Sequence, residues 1–251
     1  KGIGSWSLTG NAAEALSKKF TEMQDDSEVT AGFMWQKTTR ESKKYQLRGE
    51  ILSFIPVEKN VEVMLVTITN TGRMAQTVTP TAAIPLYGRS ADNIRDHRHV
   101  TSLLHRIETT DIGVLVTPTL SFDERGHQVN HMTYYCVGWS GNGEKPVDFY
   151  PTAEDFVGEG GNFERPYAIV KNAEGVKAGT RIEGLEAVGG LHFSEVTLEP
   201  EEECSYLIFT GITEDIQEIR NLSKTYTTRE MVLEELEKTK AYWQEKVNVA
   251  Y

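Results

Sequence analysis

VEVMLVTITN, the stretch Val61–Asn70, decides the fold of this chain. Most of its residues are β-branched or otherwise apolar, a composition typical of a β-strand. Apolar residues occupy odd and even positions alike, which predicts a strand that is covered on both faces. Asn70-Thr71-Gly72 then supplies the residue types of a tight turn. The stretch therefore predicts a buried strand that turns back into its own sheet.

Strand-like runs continue on both sides of this stretch. Before it, residues 45–55 alternate apolar and polar side chains, which predicts a strand with one solvated face. After it, the predicted strands are residues 77–87, 103–110, 112–122, 132–139, 191–198 and 205–213. Turn-forming residues separate these runs, and the strand–helix alternation of a parallel sheet is missing. We therefore predict a mainly β protein, built as a large antiparallel β-sandwich.

The first part of the chain has helical spacing instead. Ala12, Leu16, Phe20 and Met23 recur at intervals of three and four residues, and Asn11 precedes them as a suitable N-cap. This pattern predicts one helix ahead of the strands.

The last part of the chain predicts a longer helix, over residues 228–247. Residues 227–230, TTRE, match a capping box in which a Thr and a Glu satisfy each other's free backbone donors. The apolar face that follows consists of Val232, Leu236, Trp243 and Val247. Such a face needs a packing partner, so the helix either docks on the sandwich or leads into another domain.

Composition excludes several classes of partner. The chain has 251 residues and a net charge of −11, and it shows no basic stripe. The excess of negative charge disfavours binding to nucleic acids and to anionic membranes. No apolar run approaches the ~20 residues of a membrane span. The two cysteines, Cys136 and Cys204, each lie in an apolar run. Isolated buried thiols are typical of a reducing compartment, so we expect a cytoplasmic protein.

The densest polar cluster is Asp96-His97-Arg98-His99, followed by His105. Alternate histidines on a strand would face the same way, as in a metal site. However, no third ligand stands at a convincing spacing, and Arg98 would repel a cation. We therefore predict no metal here. Two interpretations stay open: a loop that touches sugar or a partner, and a hydrogen-bonded structural corner.

Residues 147–170 form the least regular part of the sequence, with a short helix predicted at 153–157. Gly158-Glu159-Gly160-Gly161-Asn162 lacks the Lys-Ser/Thr ending of a phosphate loop, so it reads as a flexible turn or as a flap near a sugar site. The acidic residues of this region are Glu154, Asp155, Glu159 and Glu164. With 37 acidic residues in the chain, such neighbours arise by chance, so they do not predict a catalytic pair.

Four aromatic residues in or near the strand patterns are candidates for stacking on sugar rings: Trp35, Tyr134, Tyr135 and Trp139. Because each aromatic side chain buries a large apolar area, we predict that they belong to the core instead.

The order of these features resembles a known family. The shared motifs are VEVMLVTITNTG at 61–72, ADNIRDHRH at 91–99, LLHRIET at 103–109 and AYW at 241–243. From about residue 45 to its end, the chain is similar to the N-terminal domain of glycoside hydrolase family 94, formerly glycosyltransferase family 36. Family members typically show His-Pro before the strand that contains Glu108-Thr109, whereas this chain has the run Asp96-His97-Arg98-His99 there. The form found here looks closest to the 1,2-β-oligoglucan phosphorylase branch.

The resemblance implies a galactose-mutarotase-like super-sandwich over residues 1–226, and a linker helix over 227–251 that leads to an (α/α)6 barrel in the same polypeptide. In the family that barrel carries the acid for inverting phosphorolysis of β-linked oligosaccharides, so it implies no catalytic residue in this chain. Inorganic phosphate would be the co-substrate, with no cofactor, and members are commonly homodimers. The expected substrate-binding or interface residues are Asp96, His97, Arg98, His99, Gly160, Gly161 and Asn162.

Two alternatives to this reading remain at the level of sequence. One is a free-standing carbohydrate-binding or mutarotase-like sandwich domain. The other is a scaffolding domain that touches no sugar.

Overall fold

The structure is a computed structural model that describes residues 4–10, 25–88, 98–123 and 126–247. The helix predicted over residues 12–23 lies outside these ranges, as do Asp96 and His97.

Antiparallel strands dominate the described ranges, as predicted. The strands are β1 (Asp26–Gly32), β2 (Trp35–Ser42), β3 (Leu47–Phe54), β4 (Val61–Asn70), β5 (Gln76–Val78), β6 (Thr81–Leu86), β7 (Arg106–Thr109), β8 (Gly113–Val116), β9 (Leu120–Asp123), β10 (Gly126–Val129), β11 (Thr133–Ser140), β12 (Asp148–Thr152), β13 (Arg181–Glu183), β14 (Ala187–His192), β15 (Val196–Leu198) and β16 (Glu203–Thr213). The helices are α1 (Arg98–Ser102), α2 (Ala153–Val157), α3 (Tyr167–Lys171), α4 (Ile216–Thr225) and α5 (Arg229–Lys246).

One large sheet organises the molecule. Its nine strands follow the order β1-β2-β3-β4-β16-β11-β8-β7-β13. A three-stranded sheet, β12-β14-β6, and the pairs β9–β10 and β5–β15 complete the strand pairing of the described residues. Every pairing is antiparallel. The predicted fold class is therefore confirmed.

β4 is covered on both faces, as its sequence predicted. Val63 and Leu65 are buried in the core beneath the C-terminal helices. Ile68 is buried in a second core on the opposite face of the sheet. The neighbouring strand β16 repeats this division, since Leu207 and Phe209 belong to the first core and Tyr206 and Ile208 to the second. Successive residues of a strand point to opposite faces of the sheet, so β4 and β16 each contribute side chains to both cores.

The molecule has four layers. The first core joins α4 and α5 to the large sheet, through residues such as Ile219, Leu222, Val232 and Leu236. The second core joins the large sheet to the three-stranded sheet. A third, smaller core lies under α2 and α3, on the outer face of the three-stranded sheet. This double coverage contradicts the solvated face predicted for residues 45–55, because Leu52 and Phe54 pack in the first core and Leu47 in the second.

Three predicted strands are each divided in the structure. Residues 112–122 form β8 and most of β9, which are separated at residues 117–119. Residues 77–87 form β5 and β6, which are separated at Pro80, a residue without a backbone donor. Residues 191–198 belong to the end of β14 and to β15, which are separated at residues 193–195. The last two breaks face each other, because the Phe193 backbone N–H donates to the Pro80 carbonyl at 3.0 Å.

The region predicted as a loop at 147–170 contains β12 as well as the predicted helix α2. Tyr150 and Phe149 of β12 are 2% exposed, although Pro151 and a shift of register after Tyr150 disturb the strand pattern in the sequence. The β1–β2 hairpin and α4 were also not predicted.

The C-terminal helix is confirmed over Arg229–Lys246, but its cap differs from the prediction. Thr228, and not Thr227, is the N-cap, and its hydroxyl accepts from the Met231 backbone N–H at 3.4 Å. The first half of α5 docks on the sandwich, because Val232 and Leu236 are 0% and 3% exposed.

The turn before α5 is bound to the large sheet through Tyr226. The Trp139 indole N–H donates to the Tyr226 carbonyl at 3.0 Å, and the Lys59 ammonium donates to the Tyr226 hydroxyl at 2.6 Å. Trp139 and Tyr135 are buried in the first core, so the predicted core role of these two aromatic residues is confirmed.

Candidate functional site

A narrow cleft lies beside α1, where the chain enters β7. Its walls include Thr101 and Ser102 from α1, Tyr87 after β6, Phe163 from the loop after α2, and Glu186 before β14. Water can enter a volume of about 20 Å³. A cavity needs roughly 10–15 Å³ to hold a water molecule, so this one accepts a single water or a group of that size.

His105 is the buried polar group of the cleft. The residue is 4% exposed, and its Nδ1 lies 3.0 Å from the Leu185 carbonyl oxygen. A carbonyl oxygen only accepts, so Nδ1 carries a proton and donates it. The His105 backbone is also held, since its N–H donates to Ser102 at 2.9 Å and its carbonyl accepts from Gly184 at 3.0 Å.

The surroundings of the His105 ring favour its neutral form. Burial lowers its pKa, and the backbone of Leu185 and Gly88 and the carboxylate of Glu186 oppose this effect in part. Nε2 is buried, and no group of the described residues meets the distance and angle of a hydrogen bond to it.

The cleft lies next to both segments that the sequence singled out. Thr101 and Ser102 follow Arg98 and His99 on α1, and Phe163 directly follows Asn162. The sequence named His105 but gave no signal for Tyr87, Phe163 or Glu186, because these residues come from separate elements. The pairing of β6 with β14 brings Tyr87 and Glu186 together, and the packing of Phe163 against Phe156 places the loop after α2 beside them.

The predicted Gly-rich segment is an exposed turn after α2. Gly160 has a φ of 67°, a left-handed conformation that favours glycine. The Asn162 side-chain oxygen accepts from the backbone N–H groups of Glu164 and Arg165 at 3.0 and 3.1 Å. Asn162 thus shapes the loop, and nothing in the structure tests its predicted contact with sugar or a partner.

A second, acidic groove opens on the outer face of the three-stranded sheet, with a volume of about 360 Å³. It is lined by Tyr150, Glu154, Asp155, Gly158, Glu159, Tyr167, Ala173, Glu174, Gly175 and Val176. Asp155 has a structural role here, because Thr152 donates to its carboxylate at 2.7 Å while accepting from its backbone N–H at 3.0 Å. This exchange caps α2.

A buried acid–base pair lies on the same face of the small sheet. The His192 Nδ1 is 2.7 Å from the Asp148 carboxylate, and the Tyr150 hydroxyl is 3.5 Å from the same nitrogen. Asp148 and His192 are register partners on β12 and β14, but 44 positions separate them in sequence, so no local motif signalled the pair.

The described part of the chain shows neither a cluster of metal-binding side chains nor a helix that could span a membrane. It has no group of three or more His, Cys, Asp or Glu side chains arranged to hold a metal ion. None of its helices is both long and apolar enough to cross a membrane.

Comparison with protein families identifies the fold. The family described as glycosyl hydrolase 94, supersandwich domain, matches residues 5–229 of this chain. The chain belongs to this family. The resemblance found in the sequence is thereby confirmed, while the 1,2-β-oligoglucan branch stays a prediction. The match ends at the first residue of α5.

Among solved structures, this chain is similar to a putative kojibiose phosphorylase from human microbiome. The identity is 9%, the TM-score is 0.40, and the similarity covers 84% of this chain. The chain spans 23% of the length of that protein. No curated protein sequence matches this chain.

Proposed function

We propose that this chain is the N-terminal supersandwich domain of an inverting glycoside phosphorylase that acts on β-linked glucans. The observation that supports the proposal is the family match over residues 5–229. The domain supports an (α/α)6 barrel of the same polypeptide and shapes the entrance to its active site. The barrel supplies the catalytic acid, and inorganic phosphate replaces the water of an inverting hydrolase.

The two free thiols support a cytoplasmic location for this protein. Cys136 is fully buried, and burial raises its pKa to about 12, so it does not form a reactive thiolate. Cys204 is half-buried on the neighbouring strand, and burial raises its pKa as well.

The product of the whole gene tests the proposal. Incubated with β-linked gluco-oligosaccharides and inorganic phosphate, it is expected to release glucose 1-phosphate with the α configuration, because inversion at a β-linked carbon gives the α product. Release of free glucose without consumption of phosphate would show that the protein catalyses hydrolysis and not phosphorolysis. Release of the β phosphate would contradict inversion.

Carbohydrate binding by a free-standing domain is the second candidate function. The acidic groove favours it, because Tyr167 is 51% exposed at a groove lined by carboxylates. Aromatic faces and carboxylate acceptors are the groups that bind neutral sugars. Titration of the isolated chain with cellobiose, combined with the phosphorolysis assay of the gene product, separates this candidate from the first.

The Gly-rich turn is proposed as a flap close to the sugar site of the assembled enzyme. Its support is the left-handed Gly160 and the exposure of Gly161 and Asn162. Deletion of Gly160 and Gly161 in the whole protein is expected to change kcat or KM for phosphorolysis, because loops that cover a site position the substrate. Unchanged values of both constants would rule out the flap.

We also propose that the whole protein is a homodimer, with β1 as a contact between copies. β1 is an edge strand whose seven residues are all exposed, and it contains no Pro, Lys or register shift. Pro, Lys and register shifts are three of the devices that protect an edge; charged side chains are another, and β1 carries Asp26 and Glu28. In an antiparallel pairing centred on Val29, Glu28 faces Thr30 and Asp26 faces Gly32, so no like charges lie opposite each other.

Val29→Lys is expected to weaken that dimer, because the pairing would place two lysines side by side. Sedimentation of the whole protein over a range of concentrations measures the effect. Val129→Lys is the matched control, since Val29 and Val129 are both 65% exposed and Val129 lies on β10. Equal dissociation constants for the two variants would exclude β1 from the interface.

A further inference from the structure

We propose that the tip of the β1–β2 hairpin and the C-terminal end of α5 form one apolar docking surface for the helical domain that follows α5 in the whole protein. Phe33, Met34 and Ile55 supply the sheet side of this docking surface, and Trp243 and Val247 supply the helix side. The inference rests on the proposed function, because it names the surface through which the supersandwich domain contacts its partner domain.

The first support is the composition of the hairpin turn. Gly32 and Trp35 are register partners, so Phe33 and Met34 form a two-residue turn. Turns of this length usually contain Asn, Asp or Gly. Met34 has a φ of 61°, a left-handed conformation that is unfavourable for its side chain. Apolar residues that contradict the local turn chemistry are expected at functional surfaces, where another interaction compensates for the cost.

Ile55 extends this apolar tip to the end of the neighbouring strand β3. Its backbone N–H donates to the Met34 carbonyl at 3.2 Å. Phe33, Met34 and Ile55 are 57%, 41% and 41% exposed. Neighbouring apolar side chains that are exposed to this extent are typical of surfaces that contact another protein or domain.

The second support is the path of α5, which crosses the large sheet toward its β1 edge. At Glu235 the helix lies beside Lys59, just before β4, with the carboxylate 3.6 Å from the ammonium. Further along, the Lys240 ammonium lies 4.7 Å from the centre of the Trp35 ring, at the start of β2. Since β1 comes next and is the edge strand, the turns beyond Lys240 extend past the sheet.

Burial along α5 stops where the helix leaves the sheet. Val232, Leu236 and Thr239 are buried, whereas Trp243 is half-buried and Val247 is 36% exposed. The spacing of these five residues places them on one face of the helix. None of the residues from 240 to 247 is buried. The face that docks on the sandwich therefore continues beyond the sandwich, next to the apolar hairpin tip.

The extent of the family match favours the following domain as the occupant of the docking surface. The match ends at Arg229, the first residue of α5, so nearly all of α5 lies outside the sandwich unit of the family. Under the proposed function the polypeptide continues from the exposed end of α5, and a short connection would place the next helix against it. Trp243 packs edge-on against Tyr242 with ring centroids 5.4 Å apart, and aromatic side chains of this kind are frequent anchors of interfaces.

The two sides of the docking surface are fixed relative to each other before docking. The Trp35 indole packs on Gly32 so closely that a Cβ there would collide with it. Lys240 of α5 lies over the same indole. A surface that is already ordered loses less conformational entropy when its partner binds.

Thiol labelling of Phe33→Cys tests the proposal. The variant is made both in the 251-residue chain and in the product of the whole gene, and its reaction rate with a maleimide is measured at neutral pH. We expect the rate to be roughly tenfold or more lower in the whole protein, because the following domain covers this position. Val247→Cys should show the same protection on the helix side. Unmodified proteins give the background from Cys136 and Cys204, whose pKa values are raised by burial.

Met74→Cys is the matched control. Met74 is 76% exposed and lies in the turn after β4, at the opposite end of the large sheet from the hairpin tip. Its labelling rate should be the same in the two proteins. Equal rates for Phe33→Cys in both proteins, or an equal loss of rate at Met74, would overturn the proposal. So would protection of Phe33→Cys that grows with protein concentration, because the occupant would then be a second copy.

Failure of this proposal is distinguishable from failure of the proposed function. Labelling reports only whether the docking surface is covered, whereas the phosphorolysis assay reports the reaction of the whole protein. Phosphorolysis by a protein in which Phe33→Cys stays fully reactive would leave the domain assignment in place and remove only the docking surface.

Discussion

Phe209→Ala is expected to lower the free energy of unfolding by about 3–5 kcal/mol. Phe209 is fully buried in β16, stacks on Trp139 with ring centroids 4.8 Å apart, and lies 5.4 Å from the ring of Tyr226. Truncation would leave a cavity where β16, β11 and the turn before α5 meet. Rearrangement is restricted there, because hydrogen bonds hold both neighbouring rings.

Chemical denaturation of the isolated chain measures this loss. Phe33→Ala is the matched control, since Phe33 is 57% exposed at the tip of the β1–β2 hairpin. Exposed substitutions usually change stability by no more than about 0.5 kcal/mol. If both variants lost the same small amount, the first core would not be the support that the structure describes.

Asn70→Ala is expected to cost about 2–4 kcal/mol, because several buried groups would lose their hydrogen bonds together. Asn70 is 0% exposed, and its amide donates to the carbonyls of Met74 at 2.8 Å and Leu198 at 2.9 Å. Its side-chain oxygen accepts from the Gly72 backbone at 2.9 Å and from Gln76 at 3.1 Å. One side chain therefore joins the end of β4 to β5 and β15.

The matched control is Asn162→Ala. Asn162 also accepts two backbone hydrogen bonds in a turn, but it is exposed, so water replaces what is lost. We expect the denaturation midpoint of Asn70→Ala to fall well below that of Asn162→Ala. Coincident midpoints would show that the buried Asn70 network contributes nothing to stability.

The sequence predicted the elements that carry strong local patterns. β4 and β16 carry apolar residues at odd and at even positions. This pattern is typical of strands that are covered on both faces. Here the C-terminal helices cover one face and the small sheet covers the other. The cap before α5 was equally visible. The cap was misplaced by one residue because Thr227 and Thr228 carry the same hydroxyl.

The absence of a clear local pattern explains two elements that the sequence did not predict. The seven residues of β1 are exposed, so no buried positions alternate along that strand. β12 contains Pro151 and a register shift, which obscure its pattern. Its hydrogen bonds come from β14 and from Val176, and neither is near it in sequence.

The candidate site was less predictable than the fold. His105 was visible as part of a histidine cluster, but its orientation depends on Leu185, 80 positions away. Tyr87 and Phe163 reach the cleft from elements that no shared motif connects. Long-range placement of this kind follows from sheet topology, and local residue patterns contain little information about it.

We propose that this domain supports a reaction without performing it. The most direct test incubates the purified 251-residue chain with inorganic phosphate and β-linked gluco-oligosaccharides, and measures sugar 1-phosphate. No release above that of a buffer blank is expected. Sustained release by this chain alone, abolished by substitution of Glu154 or Glu159 in its own acidic groove, would contradict it.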